Sequence, residues 1–122
     1  MTFREILERV IEDTPGALAG AVMCDDGVAI DEYRKEDARV DLGTVSVEFQ
    51  GVLEQARKVA HVLYGAGQGA LEELTLRTAG HQLLFRQIDD EYFLVLALSH
   101  DAMLGKARYL TGMVLHTLRQ EL

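Results

Sequence analysis

Tyr92-Phe93-Leu94-Val95-Leu96-Ala97-Leu98 is apolar without a break. A run this short with no polar face reads as a strand covered on both sides, and therefore as a central strand of a sheet. Asp89-Asp90-Glu91 before it has the composition of a tight turn, and Gln82–Ile88 on the other side of that turn alternates in part, as a neighbouring strand would. Ala79-Gly80-His81 makes a second turn, preceded by a third short run, Leu71–Thr78. Three short strands joined by tight turns predict an antiparallel meander. On the C-terminal side, Ser99-His100-Asp101 offers capping side chains. Met103, Leu104, Ala107, Leu110, Val114, Leu115 and Leu118 then carry a helical period to the end of the chain.

Upstream of the meander, Gly65-Ala66-Gly67-Gln68-Gly69 stops a long helical segment that begins near Asp41 and ends near Ala66. Within it Leu42, Val45, Phe49, Val52, Leu53, Ala56, Val59, Ala60 and Leu63 fall within about 80° of Phe49 at 100° per residue, which predicts one continuous core stripe. The opposite side should be wet, yet it carries Val47, Gly51 and Val62 among Glu54 and Lys58, with Gln55 beside them. Glycine inside a helix costs about 1 kcal/mol relative to alanine, and close approach of another helix is one reason to tolerate it. Glu54 and Lys58 form a favourably oriented i, i+4 pair, which suits a polar rim.

Nearer the N-terminus, Thr2 and Glu5 have capping-box spacing, and Phe3, Ile6, Leu7, Val10 and Ile11 follow at helical intervals until Pro15-Gly16 ends the helix. Ala17–Cys24 and Val28–Arg34 flank Asp25-Asp26-Gly27, a hairpin signal, and Arg34–Arg39 is a charged connector to the long helix. The order helix, two strands, long helix, three strands, helix predicts an α+β (α/β) fold, an antiparallel sheet with helices packed on it.

A chain of 122 residues leaves room for one domain, expected to span 1–122. Its 12 Lys and Arg against 20 Asp and Glu, a net charge of -8, exclude the electrostatic footprint of a nucleic-acid binder. At 48% hydrophobic residues the chain is apolar for its size, and self-association is one outlet for the excess. No apolar run is long enough to span a bilayer, and Met1-Thr2-Phe3-Arg4-Glu5 is too polar for a signal peptide, so no membrane insertion is expected and the location expected is cytoplasmic. The one cysteine, Cys24, lies in an apolar stretch and reads as a small buried hydrophobe.

No residue pattern carries catalysis, a metal or a cofactor. The glycine cluster at 65–69 lacks the preceding strand and the Lys-Ser/Thr pair of a phosphate loop. Asp25 and Asp26, like Asp89, Asp90 and Glu91, lack the spacing of a calcium loop and read as solvated turns. His61, His81, His100 and His116 offer no i, i+3 or i+4 pair for zinc. Arg77 and Arg86 alternate with apolar neighbours and read as strand arginines rather than as fingers supplied to a GTPase. The chain is therefore not expected to be an enzyme.

Pro15-Gly16 before the first strand, Asp25-Asp26-Gly27 in the first hairpin, Leu71–Thr78 on the third strand, Glu91–Val95 on the last, and Leu104-Gly105-Lys106-Ala107-Arg108-Tyr109 opening the final helix, in this order, resemble the Roadblock/dynein light chain family. Within it the compact length is most similar to the bacterial MglB- and MglC-like polarity and gliding-motility branch, and to the MglC type above all. The resemblance implies a five-stranded sheet in order 2-1-5-4-3, with the long helix on one face and the two terminal helices on the other. It also implies a homodimer that joins two third strands and sets two long helices side by side. Leu71, Leu74, Leu76, Val47, Gly51 and Val62 are the residues expected at that interface. The implied role is that of a non-enzymatic adaptor or regulator of a small Ras-like GTPase of MglA type, with a paralogous Roadblock regulator as a further partner. Direct GTPase activation is the alternative within the family, and a ligand-sensing domain the alternative from another class. Two separate partner surfaces are expected: Glu54, Gln55 and Lys58 on the long helix, and a remote ledge of Asp25, Asp26, Val28 and Ile30 beside an open second strand.

Overall fold

The computed structural model describes residues 2–65 in full, the backbone of 66–68, and residues 70–122. The elements are α1 (Phe3–Asp13), β1 (Ala17–Cys24), β2 (Ala29–Arg34), α2 (Leu42–Gln68), β3 (Glu73–Arg77), β4 (His81–Gln87), β5 (Tyr92–Ser99) and α3 (Leu104–Glu121). The five strands form one antiparallel sheet in the order β2-β1-β5-β4-β3, as expected. Element ends differ slightly from the expected ones. β2 starts at Ala29 because Val28 is used by the turn: its N–H donates to Asp26 Oδ1 at 3.1 Å and its C=O accepts from Cys24 N at 2.9 Å. β3 is shorter than Leu71–Thr78, while β4 begins one residue early, at His81.

Each helix boundary has a local cause. Thr2 Oγ1 accepts the Glu5 N–H at 3.2 Å, capping α1, and at the other end Thr14 Oγ1 donates to Val10 C=O at 2.8 Å. In α2, Gly65 leaves helical geometry at φ 80° and ψ -179°, a conformation glycine adopts without a Cβ penalty. The expected stop at 65–69 takes the form of a kink at Gly65, with α2 running on to Gln68; Gly69 lies outside the described residues.

β5 divides its side chains between two cores. Leu94, Leu96 and Leu98 meet Ile6, Leu7, Val10 and Ile11 of α1 and Leu115 and Leu118 of α3. Phe93, Val95 and Ala97 join Phe85 and the α2 residues Leu42, Phe49 and Leu53 on the other face. Each such large side chain contributes about 1.5–3 kcal/mol on burial, which is why a strand with no polar face is stable only here.

The expected core stripe of α2 needs correction. Leu42, Phe49 and Leu53 are buried and Val45, Ala56 and Ala60 half-buried, but Val52 is 49% exposed, Val59 59% and Leu63 64%. The sheet is shorter than the helix. Arg57 already reaches the turns at the sheet's end, through Asp25 and Gln87, so the turns of α2 that follow, with Val59 and Leu63, have no strand beneath them, while Val52, before Arg57, is exposed on the flank of the helix.

Candidate functional site

Two hairpin turns lie side by side at one end of the sheet, joined by Asp25 N–H donating to Glu91 C=O at 2.9 Å. In the second, Asp89 Oδ1 accepts from the N–H groups of Glu91 and Tyr92, both at 2.9 Å, which fixes the Asp89-Asp90-Glu91 loop. The turns concentrate Asp25, Asp26, Asp89, Asp90 and Glu91, and Arg57 of α2 answers them. Its Nη2 donates to Gln87 Oε1 at 2.9 Å and to Asp25 Oδ1 at 3.2 Å. Gln50, two turns earlier on the same flank, donates through Nε2 to the Asp25 carbonyl.

Between this flank and the turns runs a groove of about 790 Å³, lined by Asp25, Glu54, Arg57, Lys58, His61, Val62, Leu71, Gln87, Asp89 and Asp90. Its walls mix both signs of charge over a partly apolar floor, which suits a protein surface better than a small anion or cation. Asp25 is thus part of the same surface as Glu54 and Lys58. The expected remoteness of the ledge from the long helix is corrected for this residue, because Arg57 bridges the two.

Cys24 stands beside these turns, half-buried. Burial first, then the carboxylates of Asp26, Glu91 and Asp25, push its thiol above the ordinary value, so it stays protonated and quiet at neutral pH. Among the described residues no three His, Cys, Asp or Glu side chains gather as a metal would need.

The Asp25–Arg57 pair is 34% exposed on the arginine and 43% on the aspartate. A double-mutant cycle with Asp25→Asn and Arg57→Gln, read by urea unfolding, is expected to give a coupling below about 1 kcal/mol, because water screens a pair this open. With that outcome the bridge positions the groove and does not hold the fold together.

The other flank of α2 is apolar and bare. Val52, Val59 and Leu63, missed as surface residues because their spacing matches the core, lie there, whereas Val62, 83% exposed, lines the mixed-charge groove. Where this flank meets β3 and β4 a cleft of about 330 Å³ opens between Arg39, Val40, Asp41, Val45, Leu76, Thr78, His81, Leu83 and Ala97. Val47 is exposed, and a Cβ added to Gly51 would meet nothing within 4 Å. Among the described residues no contact explains that glycine.

The two sheet edges differ in chemistry. On β2, Glu32 N–H donates to Asp31 Oδ1 at 2.9 Å and Glu32 C=O accepts from Arg4 Nη1 at 3.4 Å, so side chains occupy the backbone groups an added strand would need. A bulge at Ile30 also interrupts the register with β1. Val28 and Ile30 remain exposed beside it. On β3, among the described residues, no side chain bonds to the backbone of Glu73–Arg77. Leu74 and Leu76 stand opposite Phe85 and Leu83 on the α2 face, Leu74 half-buried and Leu76 45% exposed.

The chain is 36% identical to MglC from Myxococcus xanthus, over 100% of both chains, with a TM-score of 0.71. It shares the fold of the gliding protein MglB from Thermus thermophilus at 20% identity, 96% of this chain and 85% of that one, and a TM-score of 0.84. A Roadblock/LC7 domain from Streptomyces avermitilis matches 98% of this chain and 97% of its own at 12% identity and a TM-score of 0.82. No family model and no curated protein matches the chain. Among the described residues no helix is long and apolar enough to cross a membrane.

Proposed function

The chain belongs to the Roadblock/LC7 family, in its MglC-like part, and from that premise we propose that it is a homodimeric, non-enzymatic adaptor for a small Ras-like GTPase of MglA type, acting in the cytoplasm in cell polarity or gliding motility. The observation that carries the reading is the identity with MglC over the whole of both chains. The surface chemistry supports it. β3 is an uncapped edge flanked by exposed Leu76, and α2 adds exposed Val47, Gly51, Val52 and Val62, the last shared with the mixed-charge groove, as surface for a second copy. Leu71, expected at the dimer interface, lines the mixed-charge groove with Asp25, Glu54, Lys58 and Arg57. In this reading the groove receives a GTPase or a paralogous Roadblock regulator. Asp26, Val28 and Ile30 extend the same end of the molecule as a rim, and Gln55 faces the dimer side of the helix.

An adaptor differs from an activator in turnover. Arg57 is spoken for by Gln87 and Asp25, which argues against its insertion into another protein's nucleotide site. Added to an MglA-like GTPase that it binds, the protein is expected to leave the hydrolysis rate within about threefold, whereas an activator supplying a missing catalytic group raises it about 10³-fold or more. Binding is measured in the same experiment by titration calorimetry, with Glu54→Lys and Lys58→Glu as variants that should weaken it. An acceleration on the larger scale would replace the adaptor reading with direct activation; absence of binding to any such GTPase would overturn the GTPase partnership itself.

A further inference from the structure

We propose that the trough between α3 and β3, on the sheet face opposite α2, docks a short acidic segment of a partner protein, a run of Asp and Glu side chains held by Arg77, Arg86, Arg108 and Arg119. The inference goes beyond the GTPase reading and does not depend on it.

The trough exists because helix cover ends between two strands. Leu84 of β4 is 1% exposed beneath α1 and α3, whereas Thr75, its register partner on β3, is exposed. Residues directly opposite each other in antiparallel strands share a face. Glu73 and Arg77 of β3 therefore stand on the same side as Arg86 and Gln82 of β4, and Leu74 and Leu76 on the α2 side. The wall is a flank of α3. At 100° per residue Arg108, Gly112, Leu115 and Arg119 fall within about 60° of one another, and Arg108 Nε donates to Glu73 Oε2 at 3.0 Å, which turns this flank toward β3. Arg119 Nε donates to the Ile88 carbonyl at 2.6 Å, two residues past Arg86. Between the two arginines a Cβ added to Gly112 would meet nothing within 4 Å, so the wall is low there.

Charge selects the occupant. Four of the 12 Lys and Arg lie here, in a chain of net charge -8. Glu73 stands among them, and Arg108 takes it. Arg86 is directly opposite Glu73 in the register, yet among the described residues it has no ion pair, and its Nε is buried without a hydrogen-bond partner. A half-buried guanidinium without a counter-ion is a strong site for a carboxylate, which it binds through two parallel N–H groups. Arg77 is exposed at the far end of β3. The four steps from Glu73 to Arg77 span about 13 Å, the length of a short extended segment, so an acidic run meets both ends of the trough at once. Asp89 and Asp90 line the α2 groove instead.

A nucleic acid or an anionic bilayer has the same sign but a longer reach. Each extends well past the Debye length of about 8 Å and meets the negative field of the whole chain, while a short segment meets mostly the arginines beside it. Pairing at the β3 edge uses backbone N–H and C=O groups in the plane of the sheet, whereas these side chains stand perpendicular to it.

The probe is a fluorescein-labelled peptide of eight glutamates, with eight glutamines as its control, titrated with the full chain and read by fluorescence anisotropy. At about 50 mM salt the acidic peptide is expected to bind with a Kd below about 100 μM and to weaken about tenfold at about 200 mM, while the glutamine peptide does not bind. Arg86→Gln and Arg108→Gln should each weaken binding about tenfold with unchanged circular dichroism, and Arg34→Gln, on the opposite sheet edge, by less than about twofold. Glu73→Gln removes the competing carboxylate and should tighten binding about threefold, a gain that misfolding cannot produce. No binding, or equal binding by the Arg86, Arg108 and Arg34 variants, overturns the proposal. So does capture by phosphatidylserine vesicles without capture of the peptide, which would make the partner a membrane. The GTPase titration reads the groove on the α2 face, so either proposal can fail while the other stands.

Discussion

Phe85→Ala is expected to lower the stability of the folded chain by about 3–5 kcal/mol, the cost of removing a large buried ring from a core that cannot close over the gap. Phe85 is fully buried in β4, with its ring 6.4 Å from Phe49 of α2 and 5.2 Å from Phe93 of β5, tilted by 58° and 48°. It lies where α2 meets the sheet. α2 has few other anchors, since among the described residues only Leu42, Phe49 and Leu53 are its buried large apolar residues. The sheet neighbours are held by ladders on both sides of β4, which leaves little freedom to collapse into the void. Urea unfolding followed by circular dichroism measures the loss. Val52→Ala, on the same helix but 49% exposed, should cost the single chain well under about 1 kcal/mol. A loss of less than about 1.5 kcal/mol for Phe85→Ala would mean that α2 repacks, and that the aromatic contact is not its anchor.

Leu76→Arg is expected to abolish dimerisation at tens of micromolar protein, a weakening of about 100-fold or more. The reason is placement. Leu76 lies on the α2 face of β3, opposite Leu83, with 45% of its surface free, so an arginine there meets water in a single chain and an apolar partner in a pair. Leu74→Arg should have the same effect on assembly with a larger cost in folding, because Leu74 packs against the α2-side core beside Phe85. Thr75→Ala should change neither, since Thr75 stands opposite Leu84 on the other face and is exposed. Sedimentation velocity distinguishes the outcomes. A Leu76→Arg protein that remains dimeric with normal affinity would remove β3 from the interface.

Element types were legible in the sequence because each has a local signature. The uninterrupted apolar run Tyr92–Leu98 requires cover on both faces, and β5 has it, alternating Phe93, Val95 and Ala97 with Leu94, Leu96 and Leu98 between two cores. Thr2, Gly65 and the Asp-rich turns act through their own backbone neighbours, so their work is visible a few residues away. The order of strands followed from resemblance to a family, not from periodicity.

What the sequence by itself determined was the set of elements and their apolar faces; how far each face is covered was decided only in three dimensions. A helical period marks Val59 and Leu63 as core because it contains no information about where the sheet beneath the helix ends, and Val52 because it does not show how far a flank is covered. Arg57 was invisible for a related reason. A charged residue on a helix flank looks solvated, and its partners Asp25 and Gln87 stand 32 and 30 positions away along the chain. The same geometry merged the Asp25 turn with the helix surface, and capped β2 at Glu32 while leaving β3 bare. Local patterns arise from bonds between near neighbours. A groove and an open edge arise from where distant segments end, and only the folded chain brings those ends to one place.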